Sequence, residues 1–194
     1  KLPVCAARSA GQIPVYYNHP NGSAWHQGES IGFQNHVDML HTPRYFFGYG
    51  LSYTEFSYSD LKLDQKEIGP DGKIRIGVTV ENTGDRDGEE VVQMYFRDPC
   101  ASMTRPVKEL AGFCRLPLKA GEKKRVTFTM EASQTAFLDR EMKWKIEKGE
   151  IEIQVGSSSE DIRLKDSFRI REDGRIAGID RAFCAEYEII GCGV

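Results

Sequence analysis

The residues that could do chemistry are unevenly spread along the 194-residue chain. All four histidines, His19, His26, His36 and His41, fall in the first 50 residues, among many Gly, Pro and Asn and beside Trp25. A metal centre would need imidazoles at i, i+4 or similarly close ligand spacing. No pair has it, so these are read as loop histidines and no metal ligand is assigned. The five cysteines, Cys5, Cys100, Cys114, Cys184 and Cys192, match neither a zinc pattern nor a Cys-x-x-Cys redox motif. Their odd number leaves at least one without an internal partner, and nothing in the sequence supports a Cys100–Cys114 bridge. Reduced thiols favour a cytoplasmic setting. Cys192 stands third from the end, one place off a prenylation box. Asn21-Gly22-Ser23 is formally a glycosylation sequon and equally an Asn-Gly turn; without a secretion signal the turn is preferred. Asp and Glu abound, but between residues 60 and 170 most alternate with apolar residues, which is the habit of a sheet's solvated face.

A net charge of −3 argues against nucleic acid, because phosphate binding needs a basic excess. No apolar run approaches the roughly 20 residues of a membrane-spanning helix. The opening Lys-Leu-Pro-Val has no initiator Met and reads as the middle of a longer polypeptide. An upstream part is therefore expected, and with it targeting information that leaves a periplasmic or secreted location open.

The elements that must position these residues divide the chain in three. Residues 1–53 have poor periodicity, with Ile13-Pro14-Val15-Tyr16-Tyr17 as the one strand-like run. The first 45 or so hold too little patterned apolar sequence to offset the entropy of ordering, so they are expected to lean on another surface. Residues 54–170 change character. Lys73–Val80, Arg125–Met130 and Glu150–Val155 carry the period of two expected of half-buried strands, and Glu90–Phe96 is a further strand candidate. Gly69-Pro70-Asp71-Gly72, Asn82-Thr83-Gly84-Asp85, Lys119-Ala120-Gly121-Glu122 and Gly156-Ser157-Ser158-Ser159 are turns. About seven such strands predict an all-β, immunoglobulin-like antiparallel sandwich. Ala132–Phe137 is expected to make a single helical turn. Tyr95, Phe96, Phe113, Phe128, Phe137 and Trp144 are mostly expected to face the core. Residues 171–194 form a tail whose apolar run, 182–190, suits a short helix or an edge strand.

Several segments resemble the C-terminal region of glycoside hydrolase family 3, the β-glucosidases and β-xylosidases. The most specific is Phe47-Gly48-Tyr49-Gly50-Leu51-Ser52-Tyr53-Thr54, which looks like that family's linker into its fibronectin type III-like domain. Val80-Glu81-Asn82-Thr83-Gly84, Gly88–Tyr95, Arg105–Phe113, Leu118–Glu122, Gly149 and Val155–Ile162 follow in the family's order. Upstream, Gly11–Asn18 looks like the end of its second, α/β domain. Two departures are Phe46 and Ala7, where the family usually has Pro at or near the position. Gly48 and Gly50 suit a chain bending tightly between packed bodies.

The resemblance implies a retaining glycosidase, which needs two carboxyl groups about 5–5.5 Å apart. It places the Asp nucleophile and the Glu acid/base upstream of Lys1, so no catalytic residue is assigned here, and no cofactor. Trp25 and His26, in a Gly-rich loop, are the candidate substrate-binding residues of the intact enzyme, since aromatic faces stack on sugar rings; packing against a missing domain is the alternative. The expected partners are the upstream catalytic domains and, as a further option, a second copy in a homodimer. Glycosides would be met only through the full-length protein. The competing reading is a stand-alone carbohydrate-binding or adhesion-type sandwich.

Overall fold

The computed structural model describes residues 1–21 and 42–191, and the backbone alone of 35–36 and 39–40. Its elements in chain order are β1 (Asn35–His36), β2 (Met39–Leu40), β3 (Phe56–Leu63), β4 (Glu67–Ile68), β5 (Lys73–Asn82), β6 (Gly88–Arg97), β7 (Glu109–Leu118) and β8 (Lys123–Glu131). They continue with β9 (Phe137–Leu138), β10 (Trp144–Ile146), β11 (Gly149–Gly156), β12 (Ile162–Ile170), β13 (Gly174–Arg175) and β14 (Glu186–Gly191).

Two sheets make a sandwich. One runs β4-β12-β11-β6-β7 and the other β14-β8-β5-β3, antiparallel apart from the short parallel pair β12–β4. Each long strand sends alternate residues inward. Ile74, Ile76, Val78 and Val80 of β5 and Val126, Phe128 and Met130 of β8 face Val92, Met94 and Phe96 of β6, Leu116 of β7, and Ile151, Ile153 and Val155 of β11. The four strands anticipated from sequence are all present, each longer by two or three residues. Ala132–Thr135 is a short 3₁₀ turn, as its pattern suggested. No helix of the described residues is long and apolar enough to cross a membrane.

Four features depart from expectation. Ile13–Tyr17 forms no strand: Pro14 has no N–H to give a ladder, and Ile13 stays exposed. Phe113 does not face the core and is 52% exposed. A bulge opposite Met94/Tyr95 adds a residue at Ala111, after which Gly112, Cys114 and Leu116 point inward and Phe113 outward. Tyr95 is fully buried, yet it lies on the outer face, because Met94 and Phe96 take the inward positions. Asn82, placed in a turn by sequence, is a buried hub. Its side chain donates to the carbonyls of Arg86 (2.7 Å) and Leu118 (3.2 Å) and accepts from the Thr54 hydroxyl (2.6 Å) and the Gly84 amide (3.2 Å). Every hydrogen-bonding capacity of the amide is thereby used, which makes its burial tolerable.

The tail resolves as an edge strand. β14 pairs with β8 from Glu186↔Thr129 to Gly191↔Lys124. The thiols of Cys5, Cys100, Cys114 and Cys184 are free; Cys114 faces the core, where burial pushes its pKa up to about 11.

Candidate functional site: the seam on the outer face of the sandwich

The outer face of β6, β7 and β11 is covered by the chain's own first segment. Val91, Gln93 and Tyr95 point outward from β6, and Gln154 stands opposite Tyr95 on β11. Over them the stretches 1–6 and 42–49 run as a paired ribbon. Leu2 N donates to Tyr49 O and Gly48 N to Leu2 O, each at 2.8 Å, and Ala6 N donates to Tyr45 O at 2.8 Å.

Buried polar groups fasten this ribbon. The Gln93 amide donates to Ser157 O at 2.6 Å and, more weakly, to Gly48 O at 3.4 Å; its oxygen accepts the Tyr95 hydroxyl at 2.6 Å. Ser159 N donates to Phe47 O at 3.0 Å, and Lys108 Nζ to Ser159 O at 2.6 Å. Lys1 pairs with the buried Glu90 at 3.2 Å. Gly48 adopts φ +80°, and a Cβ there would stand 2.1 Å from Gln93 Oε1, so both the bend and the close approach require glycine.

Aromatic packing completes the seam. Tyr17 stacks on Phe47 with centroids 4.4 Å apart and meets Tyr95 edge-on at 5.8 Å, while its hydroxyl accepts the Leu110 amide at 3.1 Å. Burial raises the pKa of both Tyr17 and Tyr95, so neither phenol ionises near neutrality. At the far end Val107 N donates to His19 O and Asn21 N to Arg105 O, both at 3.0 Å. A groove of about 310 Å³ stays open beside the ribbon, with Leu2, Phe47, Val91, Leu110 and Phe113 among its walls.

At the edge of the seam the β11–β12 turn is braced by charge. Arg163 grips Asp161 with two bonds, 2.6 and 2.8 Å, and the Ser157 hydroxyl donates to the same carboxylate at 2.6 Å. Arg163 foremost, with Ser157, holds the Asp161 carboxyl below its ordinary 3.8. A lowered folded pKa stabilises the fold above the unfolded value, and that contribution disappears as pH falls through the folded one. Asp161→Asn is therefore expected to lower the urea midpoint at pH 7 and to leave it nearly unchanged once pH is well below 3.8. Equal losses at both pH values would count against this brace.

Trp25, His26 and His41 lie outside the described residues, as do Gly22 and Ser23 of the sequon. Among the described residues no group of three or more His, Cys, Asp or Glu is placed to hold a metal ion. The seam residues Gln93, Tyr95, Ser157 and Tyr17 were missed by sequence reasoning. The available signal was Gln93, a polar residue inside the otherwise apolar run Val91–Phe96.

Residues 90–159 match the fibronectin type III-like domain family. Over 161 residues the chain is 43% identical to a periplasmic β-glucosidase of Salmonella typhimurium, covering 82% of this chain and 21% of that protein. It is 39% identical to a putative β-xylosidase of Formosa agariphila over 173 residues, 89% of this chain and 22% of the relative. Among solved structures, a β-glucosidase from Listeria innocua in complex with glucose superposes with a TM-score of 0.79 at 35% identity, over 90% of this chain and 24% of that one. The chain thus spans between a fifth and a quarter of the length of these relatives. The linker motif, the ordered sandwich motifs and the fold agree: the chain carries a fibronectin type III-like domain, and its relatives are glycoside hydrolase family 3 β-glucosidases and β-xylosidases, of which it matches a fifth to a quarter.

Proposed function

We propose that this chain is the non-catalytic, C-terminal accessory portion of a family 3 glycosidase, and that it stabilises the catalytic domains. In this reading residues 1–53 are the end of the α/β domain and its linker, 54–170 the sandwich, and 171–194 a tail. The observation that carries it is the seam. A sandwich face that would otherwise meet water instead buries Gln93, Tyr95 and Glu90 under the segment leading into the domain. Buried, hydrogen-bonded polar groups such as Gln93, Tyr95 and Glu90 favour one docking geometry, which suits a body that must hold its neighbour in register. Trp25 and His26 are the proposed sugar contacts of the intact enzyme, and the hydrolysis belongs to carboxylates outside this chain.

The test is to incubate the purified chain with aryl β-glucosides and β-xylosides, beside a full-length family 3 enzyme as control. No turnover by the chain, with activity and heat resistance gained on joining it to an upstream catalytic portion, is the expected result. Turnover that vanishes on mutating one Asp or Glu of this chain would overturn the reading. Retention of the chain on immobilised polysaccharide would favour the carbohydrate-binding module instead.

A further inference from the structure

The tail after β12 returns across the end of the sandwich and is fastened at its root. Gly178 lies against Trp144, where a Cβ would stand 2.4 Å from the indole nitrogen. The Arg181 guanidinium carbon sits 5.3 Å from the centroid of the Trp144 ring and 5.1 Å from that of Phe183. One Arg181 nitrogen donates to Gln134 O at 3.1 Å and lies 3.8 Å from the Glu109 carboxylate. Ala182 N donates to the Ser133 hydroxyl at 3.2 Å, and Ala185 N to Ala111 O, on the opposite sheet, at 2.7 Å.

Past this root the tail contributes little to the core. None of the six residues of β14 is buried, and Tyr187 and Ile189 stay 49% and 42% exposed. What β14 covers is backbone, the Lys124–Thr129 stretch of β8. Without it β8 would be a nine-residue edge strand, and unpaired edges template pairing with other chains.

The β8 sequence is self-complementary in the antiparallel sense. Aligned about Thr127, Val126 falls opposite Phe128, Arg125 opposite Thr129, and Lys123 opposite Glu131. That register pairs an aromatic with a β-branched residue and opposite charges with each other, and it opposes no like charges. A second copy of this chain is thus the natural competitor, through a two-fold symmetric contact.

We propose that residues 176–191 are an edge guard: a strap, latched by Arg181, that occupies the β8 edge and keeps a second copy from pairing there. The idea does not depend on glycosidase function. Two measurements test it. In the full chain, Arg181→Ala is expected to speed amide exchange of Glu186–Gly191 about tenfold while the amides of β5 and β11 keep theirs. Unchanged exchange in β14 would overturn the latch. A chain ending at Arg175 is expected to sediment as a dimer at concentrations where the full chain is a monomer, and to revert when a synthetic 176–191 peptide is added. A shortened chain that stays folded and monomeric, or a full chain that dimerises equally, would overturn the guard. If the shortened chain fails to fold, sedimentation of the full-length Arg181→Ala variant decides: more dimer than the unaltered chain supports the guard, and faster β14 exchange without added dimer overturns it.

Discussion

Replacing Phe128 with alanine is expected to cost about 3–5 kcal/mol, the range for removing a buried aromatic ring from a core. Phe128 is fully buried near the centre of β8 and packs closely against Gly112 of the facing sheet, where a Cβ would lie 3.3 Å from the Phe128 ring. The bulge at Ala111 puts Gly112 at that spot, so this neighbour has no side chain with which to fill the hole. The ring also meets Tyr187 edge-on at 6.4 Å, so β14 loses its inward contact in the same variant. The check is a urea or guanidinium titration read by near-ultraviolet circular dichroism. A loss below about 1.5 kcal/mol would mean that the site collapses around the smaller residue.

Gln93→Leu should be the most damaging change on the outer face. Leucine approximates the shape but leaves Ser157 O without its donor and the buried Tyr95 hydroxyl without its acceptor. Each orphaned buried group costs about 1–3 kcal/mol, so a total of roughly 2–6 kcal/mol is expected. The loss should be local before it is global, because the network holds the ribbon rather than the inter-sheet core. Limited proteolysis is expected to cut within residues 1–6 or 42–50 while the sandwich remains intact. Tyr95→Phe leaves both Gln93 donor bonds in place and should cost less. A Gln93→Leu variant with unaltered proteolysis and stability would show that the amide network does not secure the seam.

The strands legible in the sequence carry a local signal. β5, β8 and β11 each contain an alternation of apolar and polar residues that reports burial of one face directly, and β6 stands out instead as an apolar run, Val91–Phe96, broken only by Gln93. β3, β7 and β12 are equally long but hide it. β3 shifts register between Ser59 and Lys62, with Asp60 at φ 53°. β7 carries the bulge at Ala111 and Pro117 along its edge. β12 alternates except at Asp166, which stands in phase with Ile162, Leu164, Phe168 and Ile170 and splits the pattern into two short pieces. Each irregularity breaks the local pattern without breaking the cross-strand pairing, so local reading misses what the sheet retains. For the same reason Phe113 was expected inside: one added residue reverses the facing of everything beyond it.

By itself the sequence determined the class of fold and the resemblance to the C-terminal region of family 3 glycosidases, because alternation, turn chemistry and the ordered Gly and Asn motifs are local properties written in contiguous residues. The tertiary structure alone decided which buried residues serve the core and which serve the seam. Tyr95 and Phe96 are adjacent aromatics and both are buried, one beneath the ribbon and one between the sheets. It also decided that the tail is a strand, since Glu186–Gly191 gains its conformation only from the β8 backbone beside it. Burial on a second face and pairing with a distant strand are set by what packs there, and no window of neighbouring residues encodes that.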